Sequence, residues 1–151
     1  TKSSFEMILN YFTLKDKRLK FYNLKLYESF FESDHRKKLI PTLYRNYKKN
    51  KITNINSRKL ELNIIHANDI LRAIYLIINN DVKSGTYCLK NNKNIKIIDL
   101  IKSINIKSKI KLKTKFLKND LIKPQKNLLK TLPKWKADIT IKSKIEKIFL
   151  K

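Results

Sequence analysis

Gly85 is the only glycine in a chain of 151 residues. A chain of ordinary usage would hold roughly ten, at about 7%. A glycine-rich loop that cradles phosphate needs several residues without a Cβ close together, so no such loop can be built from this sequence. The length suits one ordinary domain and is too short for two. Hydrophobic residues make up 42% and aromatics 10%, enough for a core and too much for wholesale disorder.

Several classes fall away on composition. The longest apolar runs, such as Ile74–Ile78, are far too short to cross a bilayer. Thr1–Asn10 lacks the basic start and long apolar stretch of a secretory signal. Cys88 is the only cysteine, which excludes an internal disulfide and a multi-cysteine zinc site and suits a reducing cytoplasm. With 36 Lys+Arg against 12 Asp+Glu the formal charge is +24. Charge of that size points to nucleic acid or an anionic surface when it is clustered. Here lysine runs evenly from end to end beside abundant isoleucine and asparagine, three residues with A- and T-rich codons. Drift in base composition accounts for that better than a selected basic surface, and interspersed lysines read as a solvated face.

Apolar spacing lays out the elements. Phe5, Ile8, Leu9 and Phe12 recur at helical spacing, predicting a helix over 3–15 with Ser3 or Ser4 as cap; if Ser3 caps, Glu6 completes a capping box. Alternation over Leu19–Tyr27 predicts a strand, followed by a polar loop over Glu28–Lys37. Leu39–Lys49 has helical spacing, with Pro41 placing the helix start close by. Short strands are expected at Ile52–Ile55, Leu60–Ile65 and Gly85–Leu89, with a weaker one at Lys109–Phe116. Helices are expected at Asn68–Asn79, Ile98–Ile104 and Ile141–Leu150, and a helical turn at Gln125–Leu132. Strands and helices alternate, so the class is α/β or α+β.

Taken unaided, the residues support little chemistry. His35 and His66 stand apart from any carboxylate spacing that would hold a metal. His66, directly after an apolar strand, reads as a satisfied structural histidine, and Cys88, inside a strand, as a buried inert thiol. Trp135 beside Pro133 reads as a packing residue. Aromatics interleave with cations in Tyr44-Arg45-Asn46-Tyr47-Lys48-Lys49, but on a helix this is an ordinary amphipathic arrangement.

The order of several segments is nevertheless informative. Thr1-Lys2-Ser3-Ser4-Phe5-Glu6 looks like the end of a Tyr-x-x-x-Lys signature, with Lys2 as its lysine. Leu24-Lys25-Leu26-Tyr27-Glu28-Ser29-Phe30-Phe31-Glu32-Ser33-Asp34-His35-Arg36 is similar to Leu-Lys-Leu-Tyr-Asp-Thr-Tyr-Gly-Pro-Gly-Asp-x-Arg. Leu62-Asn63-Ile64-Ile65-His66-Ala67-Asn68-Asp69-Ile70 parallels Arg-Asp-Phe-Ile-His-Val-Asp-Asp-Val, and Gly85-Thr86-Tyr87-Cys88-Leu89 parallels Gly-x-Tyr-Asn-Leu. Leu132-Pro133-Lys134-Trp135-Lys136 with Ile139–Leu150 looks like a closing Gly-Trp-x-Pro segment and final helix. Together these resemble the C-terminal portion of the NAD-dependent epimerase/dehydratase family, the extended short-chain dehydrogenases/reductases, and among them members acting on nucleotide-linked sugars for cell-surface polysaccharides.

The resemblance implies an α/β fold, the C-terminal part of a Rossmann-like enzyme with its smaller substrate-binding α/β lobe, and the dinucleotide-binding half missing. Residues 1–30 would be the end of the Rossmann-like sheet with its helix, and 31–151 mainly the substrate lobe, in a single partial domain. It implies NAD or NADP as cofactor and a nucleotide-sugar as substrate, with hydride transfer at a sugar carbon and a tyrosine as general acid/base. Lys2 would hydrogen-bond the nicotinamide ribose and lower that tyrosine's pKa. Phe30 would line the cofactor, Glu28 and Ser29 would contact the sugar, and Arg36 or Lys38 would pair with the diphosphate. Implied partners are the missing N-terminal half or a homodimer mate, with neither membrane nor nucleic acid, in the cytoplasm.

Departures from the pattern weigh against catalysis by this chain alone. The tyrosine partner of Lys2 would precede Thr1. Phe31, Glu32 and Ser33 stand where Gly-Pro-Gly is expected, which changes the backbone angles open to that loop and sets a carboxylate near the cofactor's place. Leu62 replaces an arginine, Asn63 and Asn68 replace acids, and Lys134 and Lys144 stand at expected glycines. The alternatives are a degenerate non-catalytic remnant of the family and a lysine-rich nucleic-acid-binding protein. Isolated, the strand over Leu19–Tyr27 would expose edges and apolar helix faces, so poor solubility is expected.

Overall fold

The computed structural model describes residues 1–117 and 129–150. In chain order the elements are α1 (Lys2–Lys15), β1 (Tyr22–Leu26), β2 (Glu28–Phe30), α2 (Leu39–Lys48), β3 (Thr53–Ile55), β4 (Glu61–Leu62), β5 (Ile64–His66), α3 (Ala67–Asn79), β6 (Gly85–Leu89), β7 (Ile95–Lys96), α4 (Ile97–Lys107), β8 (Thr114–Phe116) and α5 (Ile141–Phe149). Among the described residues the strands join in four two-stranded sheets. β1 pairs with β6, β2 with β5 and β3 with β8, all parallel; β4 and β7 pair antiparallel. Parallel pairs cannot be closed by a hairpin, so the helices serve as crossovers between them.

β5 explains why there are two cores. Successive side chains on a strand point to opposite faces. Ile64 therefore enters a core formed with Leu43, Ile55, Leu100, Ile104 and Phe149. Ile65 enters a second one with Ala73, Tyr87, Leu89, Leu132 and Trp135. A strand buried on both sides is apolar except where a polar side chain finds a partner, so Ile64 and Ile65 stand side by side and the buried His66 is paired.

Asp69 fastens the second core. Its fully buried carboxylate accepts hydrogen bonds from Arg72 Nη1 at 2.9 Å and from the backbone N–H groups of Asp138 and Ile139, both at 3.3 Å. Trp135 Nε1 donates to the Asp69 carbonyl at 2.9 Å. This tethers the chain after Leu132 to the first turn of α3, and Trp135 is a packing residue as expected. Cys88 is buried within β6.

Some expectations need correction. The cap of α1 is Thr1, whose Oγ1 accepts from Ser4 N at 3.2 Å, and the Ser3–Glu6 capping box does not form. Glu6 is drawn instead to Thr86 Oγ1 at 3.0 Å and Lys25 Nζ at 3.1 Å. The strand expected over Leu19–Tyr27 is confined to β1, because Leu19 is held in a turn by its N–H to the Asp16 carbonyl. The polar loop expected from Glu28 begins as a strand, since pairing with β5 satisfies its backbone and Phe30 reaches the core. Leu60–Ile65 is broken into β4 and β5 at Asn63, whose side chain exchanges hydrogen bonds with the backbone of Asn91. Of the helical turn expected over Gln125–Leu132, residues 125–128 lie outside the described residues, while Thr131 forms a parallel bridge with Cys88 rather than a helical contact.

The helices α4 and α5 are joined through a buried carboxylate. Ser103 Oγ donates to Glu146 Oε1 at 2.6 Å and Lys107 Nζ pairs with Oε2. Burial pushes the Glu146 pKa up, but the hydrogen bonds from Lys107 and Ser103 outweigh it and hold the carboxyl below the ordinary 4.5. A group depressed in the folded state contributes stability above its unfolded pKa, and that contribution is lost as pH falls through the folded value. Glu146→Gln is therefore expected to cost about 1.5–3 kcal/mol at neutral pH, the worth of charge-assisted hydrogen bonds. Urea melts across pH should show the loss shrinking as pH falls below the unfolded carboxyl's pKa of about 4.3; a loss of constant size would contradict the assignment.

Candidate functional site

The direction of α1 locates the site. Glu6, in its first half, reaches Lys25 on β1 and Thr86 on β6. Asn10 and Thr13, farther along, line a hollow with Lys20, Val82 and Gly85, which precede or begin the two strands. The helix thus runs antiparallel to β1 and β6, and Lys2 lies at the strands' carboxyl end. Parallel sheets bind ligands outside that end. β1 passes through Tyr27 into β2 at the same end, so Lys2 and the segment 28–38 share one side of the fold.

Within that segment the side chains are organised around Arg36. The Arg36 guanidinium donates to Asp34 Oδ1 at 2.8 Å and Oδ2 at 2.6 Å, and to Ser29 Oγ and the Ser29 carbonyl, both at 3.1 Å. Its centre lies 5.9 Å from the Phe31 ring. The hydrogen bond from Arg36 holds the Asp34 carboxyl below its ordinary range, and Asp34 in turn raises the Arg36 pKa. Among the described residues Nη1 of Arg36 takes no partner. The result is a planar cation fixed in direction with donors to spare, the arrangement suited to a diphosphate.

An open cleft of about 660 Å³ lies beside it, lined by Ser29, Phe31, Asp34, Arg36, Ala67 and Ile70 among others. On the other side of β2, Glu28 Oε2 pairs with Lys38 Nζ at 2.9 Å and borders a small hollow with Pro41 and Leu62. Glu28 and Ser29 fall on opposite faces because they are neighbours on a strand. The structure thus groups Ser29 with Arg36 on one face of β2 and Glu28 with Lys38 on the other, and sets Lys2 on another element at the same end. Phe30 is turned inward: it is 2% exposed, with its ring edge-on to His66 at 6.1 Å.

Two residues essential to this geometry escaped the sequence reading. Asp34 orients Arg36, and the Asp-x-Arg spacing is the signal that points to it. Arg45, on α2, donates to the carbonyls of His35 and Arg36 and pins the loop to the helix; no local pattern marks it.

Glu32 occupies the far side of the loop. Its carboxylate sits 3.1 Å from His66 Nε2 and 3.6 Å from Lys144 Nζ. Burial pushes the Glu32 pKa up, but its own backbone N–H, His66 and Lys144 together hold it below 4.5. His66 Nδ1 accepts from Asn68 N at 3.1 Å and so caps α3, which leaves Nε2 to carry the proton toward Glu32. His66 is therefore buried and satisfied, as the sequence suggests. Among the described residues no cluster of His, Cys, Asp and Glu could hold a metal, and no helix is long and apolar enough to cross a membrane.

Comparison with protein-family models and with curated proteins gives no match. Solved structures do match. A mutant UDP-glucuronic acid 4-epimerase from Bacillus cereus, in complex with a fluorinated UDP-sugar and NAD, superposes with a TM-score of 0.77 at 12% identity, over 95% of this chain and 48% of that one. UDP-glucose 4-epimerase from Bifidobacterium longum, with NAD+ and UDP, gives 0.72 at 15% identity over 95% and 50%. RMD from Pseudomonas aeruginosa, complexed with NADPH, gives 0.70 at 13% over 95% and 51%. The chain has the fold of about half of these enzymes and spans about half their length. The α/β architecture expected from the resemblance is the one observed.

His66 can be tested by substitution. His66→Ala removes the cap of α3 and should cost about 1 kcal/mol or more in urea unfolding, whereas His66→Asn, itself a good cap, should retain most of it. Equal losses would show that capping is not what His66 contributes.

Proposed function

We propose that this chain is the sugar-side half of an NAD(P)-dependent nucleotide-sugar epimerase, dehydratase or reductase, and that it binds the nucleotide-sugar through the segment 28–38. The observation that carries this reading is the guanidinium of Arg36, fixed by Asp34 and Ser29 at the carboxyl end of parallel strands. Arg36 meets the diphosphate and Ser29 the sugar on one face of β2, while Glu28 and Lys38, paired with each other on the opposite face, hold the strand from behind. Lys2, at the same end, serves the nicotinamide ribose and lowers the pKa of a tyrosine four residues before it. The nicotinamide supplies the hydride chemistry. Phe30, being buried, contributes to the cofactor wall by supporting the backbone of β2.

Hydride transfer needs the dinucleotide-binding half, and two surfaces are suited to receive it or a second copy. Among the described residues β1 pairs only with β6, which leaves its other edge open. α1 buries no side chain, and Phe5, Ile8 and Phe12 are each at least half exposed. The chain alone is accordingly expected to bind without turning over and to be poorly soluble; its lone cysteine suits the cytoplasm.

A non-catalytic remnant is the second reading, favoured by Lys134. Its φ of 59° lies in the left-handed region that suits glycine, at a position where the resemblance expects glycine. Leu62, in place of an arginine, packs against the larger core.

Titration of the chain with UDP-glucose tests the binding claim. Arg36→Ala should weaken affinity about tenfold or more, the loss of a charge-assisted contact, while Lys93→Ala controls for net charge. Equal affinity of the Arg36 variant and the parent would overturn the site. Turnover by the unaided chain with NAD would overturn the claim that the second half is needed.

A further inference from the structure

Away from this site the fold gathers charge that the linear sequence spreads evenly. No Asp or Glu occurs between Asp34 and Glu61, and none between Asp99 and Asp120. β3 comes from the first of these stretches and β8 from the second, and they pair in parallel with Asn54 opposite Lys115. The pairing extends beyond the strands, through Thr53 N–H to the Lys113 carbonyl at 2.9 Å and Leu117 N–H to the Ile55 carbonyl at 2.7 Å. Two acid-free stretches thus become one surface.

Alternation decides what that surface presents. Thr53, Ile55 and Ser57 are buried, so Asn54 and Asn56 face outward. Leu112 is buried, and Lys111, Lys113 and Lys115 are exposed on the other arm. Lys111 shares one of its N–H donors with the Asn105 carbonyl, which keeps its stem along the surface.

We propose that the β3–β8 face docks the backbone of nucleic acid through its phosphates. Outward lysines two residues apart on an extended chain are about 6.6–6.8 Å apart. Each lysine of such a row can meet a separate phosphate of one strand, whose charges rise about 3.4 Å apart along the helix axis. Asparagines alongside are phosphate ligands, and the exposed Ile52 and Leu117 stand at the ends of the face, whereas a membrane-inserting face would need apolar side chains at its centre. The one aromatic ring at the edge, Phe116, is covered by the Arg58 guanidinium at 5.2 Å. It offers no platform for a base, so recognition is independent of sequence. The inference stands apart from the nucleotide-sugar reading, since no residue is shared.

The test measures binding of the full chain to a fluorescein-labelled DNA duplex of about twenty base pairs, between roughly 50 and 200 mM salt. A variant carrying Lys111→Gln, Lys113→Gln and Lys115→Gln is compared with one carrying Lys17→Gln, Lys83→Gln and Lys93→Gln, which removes the same charge elsewhere. The first should flatten the slope of log affinity against log salt by about 0.9 per lost contact, and the second should leave it unchanged. Acetylation footprinting of the unsubstituted chain, which requires no variant to fold, should show the duplex protecting Lys111, Lys113 and Lys115 over Lys17, Lys83 and Lys93. Equal slope changes for the two variants, or protection spread evenly over all lysines, would overturn the proposal. So would protection of these lysines by phosphatidylserine vesicles but not by the duplex.

Discussion

One extended run, Tyr22–Phe30, changes partner at Tyr27, and the architecture follows from that change. Its first part lies along β6 and its second along β5, both parallel. Parallel partners have to be reached by crossovers, so each pairing draws helices onto the sheet faces. Because β5 is buried on both sides, the second pairing also joins the two cores through the adjacent residues Ile64 and Ile65. The switch leaves Glu28 and Ser29 at the carboxyl end of β1, where Lys2 also lies. The segment proposed to bind is thus held by backbone pairing on strands, with the loop beyond it tied down by Asp34, Arg45 and Glu32.

Elements with strong periodicity were legible in the sequence. Leu43 and Tyr47 sit one turn apart on one face of α2, and Gly85–Leu89 is observed as the strand expected. Three-residue strands such as Glu28–Phe30 were not legible, because so short a piece shows no period and its existence depends on a partner distant in the chain. The cap of α1 went to Thr1 because Glu6 had better partners across the fold. The proposed site residues Glu28, Ser29, Arg36 and Lys38 come from the family resemblance, while composition alone led nowhere. What orients them, the carboxylate of Asp34 and the guanidinium of Arg45, became visible only once the loop was seen folded against α2.

The replaced glycines behave differently from one another. At Phe31 and Ser33 the described backbone has no positive φ, so ordinary residues fit there. At Lys134 the left-handed conformation persists with a side chain that disfavours it. Glu32 and Lys144, both departures from the family pattern, lie 3.6 Å apart beside His66. Lysine enrichment that is bland along the sequence therefore acquires local consequences once folded: an ion pair under the loop after β2, a left-handed turn beside Trp135, and a one-signed face on β3 and β8.

The central claim is that the segment following β1 receives a nucleotide-linked sugar. Hydrogen–deuterium exchange of the chain with and without UDP-glucose addresses it most directly, because it reads backbone amides along the whole polypeptide. The account predicts slowed exchange over residues 28–38, with the amides of α4 and α5 unaffected. Exchange that stays unchanged over 28–38 at saturating UDP-glucose, or slows only over β3 and β8, would contradict it.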